Sequence, residues 1–302
     1  MAASGDWSDE ENSILVNAYL DMLRRELRDE AFVKAEVNRR LQAELGRGRG
    51  SIEFKLANVS AALREMTFPF INGYKPYPNI QASLRDRVRE EILRNQDLTE
   101  LAFTRLTRAI PEASDSATWQ HSPVPRAELS SPDAPGERVG RWDFVELESM
   151  NRALGAAGER AVLSRERRIL TIAGHSALAD RVEHVSQTVG DGLGFDIRSF
   201  DIDGTEKLIE VKTTQLGSHW PMMVSRNEVE VSAAEGNKYF LFRLHNFRPD
   251  SIRFYTLQGD LRDTCQMTPE SFSALPAKGP ASTIDGQFAR ARSRPSHPPF
   301  AP

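Results

Sequence analysis

The chain has 302 residues, of which 39% are hydrophobic and 27% charged, and its formal net charge is -4. This length is enough for two domains of ordinary size. The net charge argues against a broadly basic protein that coats phosphate, but it leaves room for a local basic groove. The single cysteine, Cys265, excludes an internal disulfide and a cysteine-based metal cluster, and we expect it to be a packed or inert thiol.

The start of the chain carries no signal for export. Met1–Glu11 is small, polar and acidic, unlike a signal peptide, and no run of the sequence approaches the ~20 apolar residues of a membrane span. We therefore expect a cytoplasmic protein without membrane contacts.

Helical periodicity dominates the first part of the chain and predicts an α-helical N-terminal domain over residues 5–110. Ser8 followed by Glu11 is the pattern of a capping box, and apolar residues then recur at helical spacing as far as Leu23. Ser51 is the predicted cap of the third helix. The other predicted elements are helices over 30–45, 80–93 and 98–109, a glycine-rich break over 46–50 and an aromatic, proline-containing loop over 68–78.

Composition changes after this domain. Residues 111–140 are dominated by Pro, Ser, Ala and Asp, which predicts a disordered linker and lets the first domain move relative to the second. Residues 277–302 have a similar composition and are predicted to be a disordered tail.

The second domain is predicted over residues 141–276. A helix fits 144–163, in which Gly155 and Gly158 would let another element approach closely. Strands and one further helix follow, with Ser225 capping that helix, and their order predicts an α/β domain with a mixed sheet flanked by helices. The strands are predicted over 182–186, 194–201, 207–214, 238–246 and 251–257, and the helix over 226–234.

Charged residues on two predicted strands suggest chemistry. Glu210 and Lys212 are two residues apart and therefore share one face of a strand, while Asp196 lies on the preceding strand. Two carboxylates ~5 Å apart on adjacent strands need a cation between them, and Mg²⁺, with Mn²⁺ as the alternative, suits oxygen ligands. Lys212 could stabilise charge in the transition state or lower the pKa of an attacking water, and Glu159 adds a third acid.

These are the parts of metal-assisted phosphodiester hydrolysis. The alternative interpretation is structural, in which Glu210 and Lys212 form a surface ion pair and Asp196 is an acid at the strand edge.

Five segments resemble the NO VEIN C-terminal domain family within the PD-(D/E)XK nuclease superfamily. The resemblance covers about residues 141–269 and implies a restriction-endonuclease-like core of helix, three-stranded meander, helix and strand. It implies Asp196 and Glu210 as metal ligands with the Val211 carbonyl as a third, Lys212 as the catalytic lysine and Glu159 as the helix acid. Phe195 stands where the superfamily has a proline. The segments are Asn151–Glu159, Ala179–Ser186, Gly190–Ile197, Ile209–Thr214 and Ser225–Glu228.

The N-terminal part resembles a helical domain found ahead of nuclease domains, HNH ones included, in restriction-type proteins. The matching segments are Trp7–Glu11, Asn38–Leu41, Gly50–Leu63 and Ile71–Pro76. DNA recognition by this domain would use basic residues near helix ends and the glycine loop; these are Arg39, Arg40, Arg47, Arg49 and Lys55. The alternative is a helical interaction or dimerisation module with solvated charges.

Other polar residues near the predicted site have less specific patterns. Gln187 and Asp191 flank the glycine turn, where they either contact a nucleic-acid backbone or hold the turn. Asn227 and Glu228 are expected to cap a helix or face solvent, with a contact to Lys212 as the alternative. The spacing of the histidines at 175, 184 and 219 does not suit a metal, which predicts packing or surface roles.

The sequence therefore predicts a Mg²⁺-dependent DNA endonuclease in restriction or antiviral defence. Its expected partners are DNA and other defence proteins, and double-strand cutting with one site per chain favours a homodimer. The alternative is a catalytically silent nuclease-fold module that binds nucleic acid or a defence partner. A helix-turn-helix regulator would leave the acidic strands unexplained.

Overall fold

The first part of the chain folds into helices, as expected. The computed structural model describes residues 6–108, 112–126, 143–188 and 191–268. The helices of the first range are α1 (Asp9–Leu27), α2 (Lys34–Leu45), α3 (Arg49–Glu65), α4 (Ala82–Arg94) and α5 (Gln96–Thr107).

Local sequence signals explain where most of these helices begin and end. The Ser8 hydroxyl accepts a hydrogen bond from the Glu11 amide at 3.2 Å, and the Glu11 carboxylate accepts one from the Ser8 amide at 2.8 Å, which confirms the capping box. Ser51 is not the cap of the third helix. Gly46 ends α2 in the left-handed conformation, with φ of 64°, which glycine adopts without strain. The N-cap of α3 is Gly48, so this helix begins before the predicted cap at Ser51.

The second part contains one mixed six-stranded sheet among the described residues. The strand order is β1-β6-β5-β4-β3-β2, in which β1 with β6 and β4 with β5 are parallel pairs and the remaining neighbours are antiparallel. The strands are β1 (Thr118–His121), β2 (Glu183–His184), β3 (Ile197–Phe200), β4 (Glu206–Thr213), β5 (Tyr239–Arg248) and β6 (Ser251–Gln258).

Helices flank this sheet, as the expected mixed α/β architecture requires. They are α7 (Arg152–Ile172), α8 (Ser176–Ala179), α9 (Val185–Thr188), α10 (Arg226–Glu235) and α11 (Leu261–Thr264). The helix before them, α6 (Phe144–Ser149), packs against α5 and the core of the helical part instead. The predicted helix over 144–163 is divided, because the Asn151 side chain caps a new helix by accepting a hydrogen bond from the Leu154 amide at 3.2 Å. The predicted strand over 182–186 shrinks to β2, and α9 follows it directly.

Two apolar layers lie on opposite faces of the sheet. Ile209 and Val211 pack with α7 residues such as Ala157, whereas Leu208 packs with Val229 of α10. The face that carries Glu210 is therefore the face covered by α10.

Gly158 permits the close contact between α7 and the sheet. A Cβ at this position would lie 1.9 Å from the Thr213 hydroxyl of β4, so any side chain would force Thr213 or the two elements to shift. The predicted close approach is confirmed at Gly158 but not at Gly155, where a Cβ would meet only the Glu159 carboxylate at 3.8 Å.

The predicted linker is wrong in part. Residues 118–121 form β1, which pairs in parallel with β6, because Trp119 packs edge-on against Phe254 of that strand at a centroid distance of 5.5 Å. Such pairing and packing stabilise a short strand that propensity alone does not reveal. Residues 127–140 and the predicted tail over 277–302 lie outside the described residues.

The helical part does not form a separate movable domain. Phe144 and Trp220, from the second part of the chain, are buried in the core of the first, where they contact Phe68 and Phe70 at centroid distances of 5.0 and 5.8 Å. The described residues as far as Gln266 accordingly fall in one compact unit. In the described ranges, no helix is both long enough and apolar enough to span a bilayer.

Candidate active site

A glycine turn positions the first acid of the site. Gly194 has φ of 75°, and a Cβ there would come within 2.8 Å of Val231 on α10, so the turn fits closely against that helix. The Tyr239 hydroxyl donates a hydrogen bond to the Gly194 carbonyl at 3.3 Å, and the side-chain amide of Asn227 donates one to the Gly192 carbonyl at 3.0 Å. The turn therefore delivers the chain to Asp196 in a fixed direction; Gly190 lies outside the described residues.

Asp196 immediately precedes β3 and is tied to β4. Its amide donates to the Ile209 carbonyl at 2.9 Å, and its carboxylate accepts from the Val211 amide at 2.8 Å. Since β3 and β4 pair Ile197 with Ile209, continuing the register by one residue sets Asp196 beside Glu210.

Lys212 lies between two carboxylates. Its ammonium is 2.7 Å from the Glu210 carboxylate, two residues earlier on the same face of β4, and 2.9 Å from the Glu228 carboxylate on α10. Glu210 is buried, with 5% of its surface exposed, so the ion pairs are shielded from solvent. The expected sharing of one face by Glu210 and Lys212 is confirmed, and the interpretation as a surface ion pair is wrong.

Burial and mutual repulsion perturb the acids of this cluster. Burial raises the pKa of the Asp196 carboxyl to about 7, and the Glu159 charge adds to the rise. Burial also raises the pKa of Glu210 well above its usual range, although the neighbouring Lys212 ammonium opposes the change. The ionised form of both carboxyls is therefore disfavoured, and a further positive charge nearby would stabilise it.

The pKa of Lys212 moves in the direction that keeps it charged. Burial lowers the pKa of the ammonium, but the ion pairs with Glu210 and Glu228 outweigh burial and raise it above its ordinary value. Lys212 is therefore charged at neutral pH while these two ion pairs are intact.

Glu159 approaches the cluster from the other side of the sheet. It follows Gly158 on α7, and its carboxylate lies 2.7 Å from His184 Nε2 and accepts a hydrogen bond from the Ser186 hydroxyl at 3.1 Å. Its charge reaches Asp196, but its direct partners are on β2 and α9. The structure thus brings Asp196, Glu210 and Lys212 together and places Glu159 at their margin.

The possible metal ligands here are the two carboxylates of Asp196 and Glu210, which suit a hard cation. They do not form part of a larger cluster of ligand side chains among the described residues. Within the described ranges, no group of three or more His, Cys, Asp or Glu side chains has the arrangement of a metal site. Asp196 and Glu210 nevertheless supply oxygen ligands on adjacent strands, and Lys212 compensates only one of the negative charges around it. Two carboxylates completed by a backbone carbonyl, water and substrate phosphate are what Mg²⁺ commonly uses in proteins.

Two members of this environment were not assigned to the site from sequence. Glu228 forms the expected capping box with Ser225, and it also contacts Lys212, which is the alternative that the sequence left open. His184 is buried against Glu159, whereas the sequence predicts only a packing or surface role. The capping box with Ser225 is a sequence signal that fixes the position of Glu228 at the start of α10. No spacing pattern connects His184 with Glu159.

The basic residues predicted to contact DNA separate into two groups. Arg47 is buried, hydrogen-bonded to Glu11 at 2.7 Å and stacked over Trp7, and Lys55 is buried with its ammonium 2.6 Å from the Gln81 side chain. Both side chains are held below the surface, so neither Arg47 nor Lys55 is placed to contact a phosphate, contrary to the prediction. The basic residues that are exposed are Arg39, Arg40 and Arg49, and the neutral Gln187 is exposed as well.

Comparison with known proteins relates about a third of the chain to a family model. No curated protein and no solved structure matches the chain. Residues 158–257 match the family model described as Protein NO VEIN, C-terminal. The matched range contains Glu159, Asp196, Glu210, Lys212 and Glu228, so the chain is similar to the C-terminal part of NO VEIN proteins over the segment that builds the site.

Proposed function

We propose that this protein is a metal-dependent DNA endonuclease of the PD-(D/E)XK type that acts in restriction or antiviral defence. The observation that carries the proposal is a pair of acids, the partly buried Asp196 and the buried Glu210, held beside Lys212 on adjacent strands. A buried excess of negative charge destabilises a fold unless it binds a cation or performs chemistry. The similarity of residues 158–257 to a family that we relate to nucleases supports the same reaction.

Asp196 and Glu210, with the Val211 carbonyl, would hold Mg²⁺ or Mn²⁺. When bound, the ion would polarise the phosphodiester and activate water for attack on phosphorus. The bound cation would keep both acids ionised at neutral pH, because without it their raised pKa values favour protonation.

Lys212 would neutralise charge on the scissile phosphate. Its pKa stays above the ordinary lysine value, so it acts as a cation that orients the phosphate and does not donate a proton. Glu228 positions this ammonium from α10, and His184 with Ser186 orients Glu159 at the margin of the site.

The N-terminal helices would supply DNA recognition through the exposed Arg39, Arg40 and Arg49, with Gln187 near the site. Cutting of both strands with one site per chain favours two chains, so we propose a homodimer on DNA. Other defence proteins are further candidate partners.

The second candidate is a catalytically silent nuclease-fold module that binds nucleic acid or a defence partner. One observation favours it: Lys212 is engaged by two carboxylates at once, at 2.7 and 2.9 Å, which leaves one of its three N–H donors for a phosphate.

Cleavage of plasmid DNA with Mg²⁺ distinguishes the two functions. We expect the parent to cut and Asp196→Asn and Lys212→Ala to lose cutting, by about 100-fold or more. Asp203→Asn is the matched control, because this acid lies in the exposed turn between β3 and β4 and should leave cutting unchanged. Failure of the parent to cut modified, unmodified and single-stranded DNA, with either Mg²⁺ or Mn²⁺, would overturn the enzyme proposal in favour of the binding module.

A further inference from the structure

A cleft on the helical part contains one of the arginines assigned to DNA recognition, Arg49, but the function proposed above gives the cleft itself no ligand. It lies between α2, α3 and the loop that follows α3, and its volume is about 680 Å³. This size falls within the ~300–1,000 Å³ range of small-molecule sites. Its principal lining residues are Lys34, Arg49, Phe54, Tyr74, Lys75 and Tyr77.

Two aromatic rings of this cleft are open to solvent. Phe54 is 59% exposed and Tyr77 is 41% exposed, and their ring centroids are 5.4 Å apart with an interplanar angle of 58°. Neither ring is needed to fill a core, and adjacent exposed rings on a soluble surface mark a contact site more often than isolated ones do. Aromatic faces of this kind accept another flat ring.

The backbone around these rings is fixed. The Tyr77 amide donates to the Ala57 carbonyl of α3 at 3.1 Å, and the Asn58 side-chain amide donates to the Tyr77 carbonyl at 2.8 Å. The loop that carries Tyr77 is therefore fastened to the helix that carries Phe54. The site is preformed, so that a ligand need not pay for ordering it.

The charges around the rings are mainly positive. Lys34, Arg49 and Lys75 line the cleft. The acid among the lining residues, Glu53, pairs with Arg49 at 3.0 Å, so Lys34 and Lys75 supply the excess of positive charge. The whole chain has a formal net charge of -4, so this is a local concentration of cations in an acidic protein. Such a surface attracts an anion rather than a neutral apolar peptide.

We propose that this cleft binds single-stranded nucleic acid, with one unpaired nucleobase against Phe54 and Tyr77 and the flanking phosphates near Lys34, Arg49 and Lys75. Exposed aromatic faces beside cations are the chemistry by which proteins hold single strands without reading their sequence. Duplex bases are stacked and paired, so a strand must be open, or a base extruded, before it enters. This inference rests on the proposed function only in requiring nucleic acid as a partner.

The test measures binding by the full chain in EDTA, so that catalysis plays no part. The probe is a short single-stranded DNA that carries 2-aminopurine, whose fluorescence falls when the base stacks on a ring. We expect quenching with the parent, and about 5- to 100-fold weaker binding with loss of quenching for Phe54→Ala and Tyr77→Ala. Both side chains are exposed, and thermal unfolding of each variant verifies that the fold is intact.

Leu93→Ala is the matched control, because Leu93 is 55% exposed on α4 and does not line the cleft. It should bind like the parent. Arg49→Gln should weaken binding of every sequence to a similar extent and reduce its salt dependence.

Absence of binding by the parent would overturn the proposal, as would equal losses for Leu93→Ala and Phe54→Ala or a preference for fully paired DNA. Failure of the catalytic proposal has a different signature, since a protein that never cuts DNA would still quench the probe.

Discussion

The Lys212 ammonium lies 2.9 Å from the Glu228 carboxylate, and the same carboxylate accepts a hydrogen bond from the Ser225 amide at 3.1 Å. One side chain therefore has two functions. It closes the N-terminal cap of α10, and it fixes the position of the cation proposed to face the phosphate.

These two functions can be separated by substitution. Glu228→Gln keeps an oxygen for the Ser225 amide but removes the charge that holds Lys212, so we expect Mg²⁺-dependent cutting to fall about 10-fold with little change in stability. Ser225→Ala removes the reciprocal cap and should lower the free energy of unfolding by ~1 kcal/mol while cutting is retained. Plasmid cleavage measures the activity of both variants, and urea unfolding measures their stability. Equal loss of cutting in both variants would show that α10 acts only through its stability.

Gly158 and Gly155 provide a matched test of the contact between α7 and β4. A Cβ at Gly158 would clash with the Thr213 hydroxyl, so Gly158→Ala should destabilise the protein by ~1–3 kcal/mol. Gly155→Ala meets no comparable obstacle and should be neutral or stabilising by up to ~1 kcal/mol, because alanine favours a helix interior. Denaturant unfolding of the two variants gives the comparison. Similar stabilities would contradict the close approach.

Glu26 predicts a specific dependence of stability on pH. Burial raises the pKa of this carboxyl to about 7, although its hydrogen bond from the Asn72 amide at 2.7 Å opposes the rise. The folded state then binds more protons than the unfolded state between the ordinary pKa of 4.5 and about 7, so this group lowers stability as pH rises through that window.

Glu26→Gln removes this dependence and keeps an acceptor for the Asn72 amide. We expect the free energy of unfolding of the variant to rise relative to that of the parent as pH rises from about 5 to about 7, by at most ~3 kcal/mol. The difference should stay constant above about pH 7. Unfolding in urea at a series of pH values measures it, with the exposed Glu30→Gln as control. A difference that shrinks with rising pH would contradict a raised pKa.

Removal of the helical part should expose apolar surface on the remainder. Phe144 and Trp220 are only 1% and 3% exposed in the whole chain, and their partners Phe68 and Phe70 lie in the helical part. We therefore expect a chain that begins at Glu112 to lose cooperative unfolding and to aggregate. Circular dichroism and sedimentation measure this, and the control is a chain without residues 277–302. A truncated chain that unfolds cooperatively as a monomer would contradict the shared core.

Local signals in the sequence were enough for much of the fold. Ser8 with Glu11 predicts the start of α1, and the alternation around Glu210 and Lys212 predicts a strand with both charges on one face, because caps and strand periodicity depend on neighbouring residues alone. The same alternation, with the acid on the preceding strand, brought Asp196 into the candidate site.

Features that depend on distant residues were missed. β1 consists of Thr118–His121 and is stabilised by β6, more than a hundred residues away, so composition alone suggested disorder. Arg47 and Lys55 looked like exposed cations, but Trp7, Glu11 and Gln81 hold them in the interior. The contact between His184 and Glu159 likewise depends on the packing of α7 beside β2, which no sequence spacing specifies.

The burial of Phe144 and Trp220 among the N-terminal helices limits how this architecture can be recombined. A boundary placed in the proline-rich stretch would divide the composition neatly but would cut through a single core. A chimera that joins this sheet to a foreign targeting module would have to replace Phe144 and Trp220 with polar residues, or carry the helices α1–α5 along with the sheet. Gene fusion or protein engineering would therefore transfer the described unit as a whole. New targets would come from substitutions on its surface rather than from replacement of the helices α1–α5.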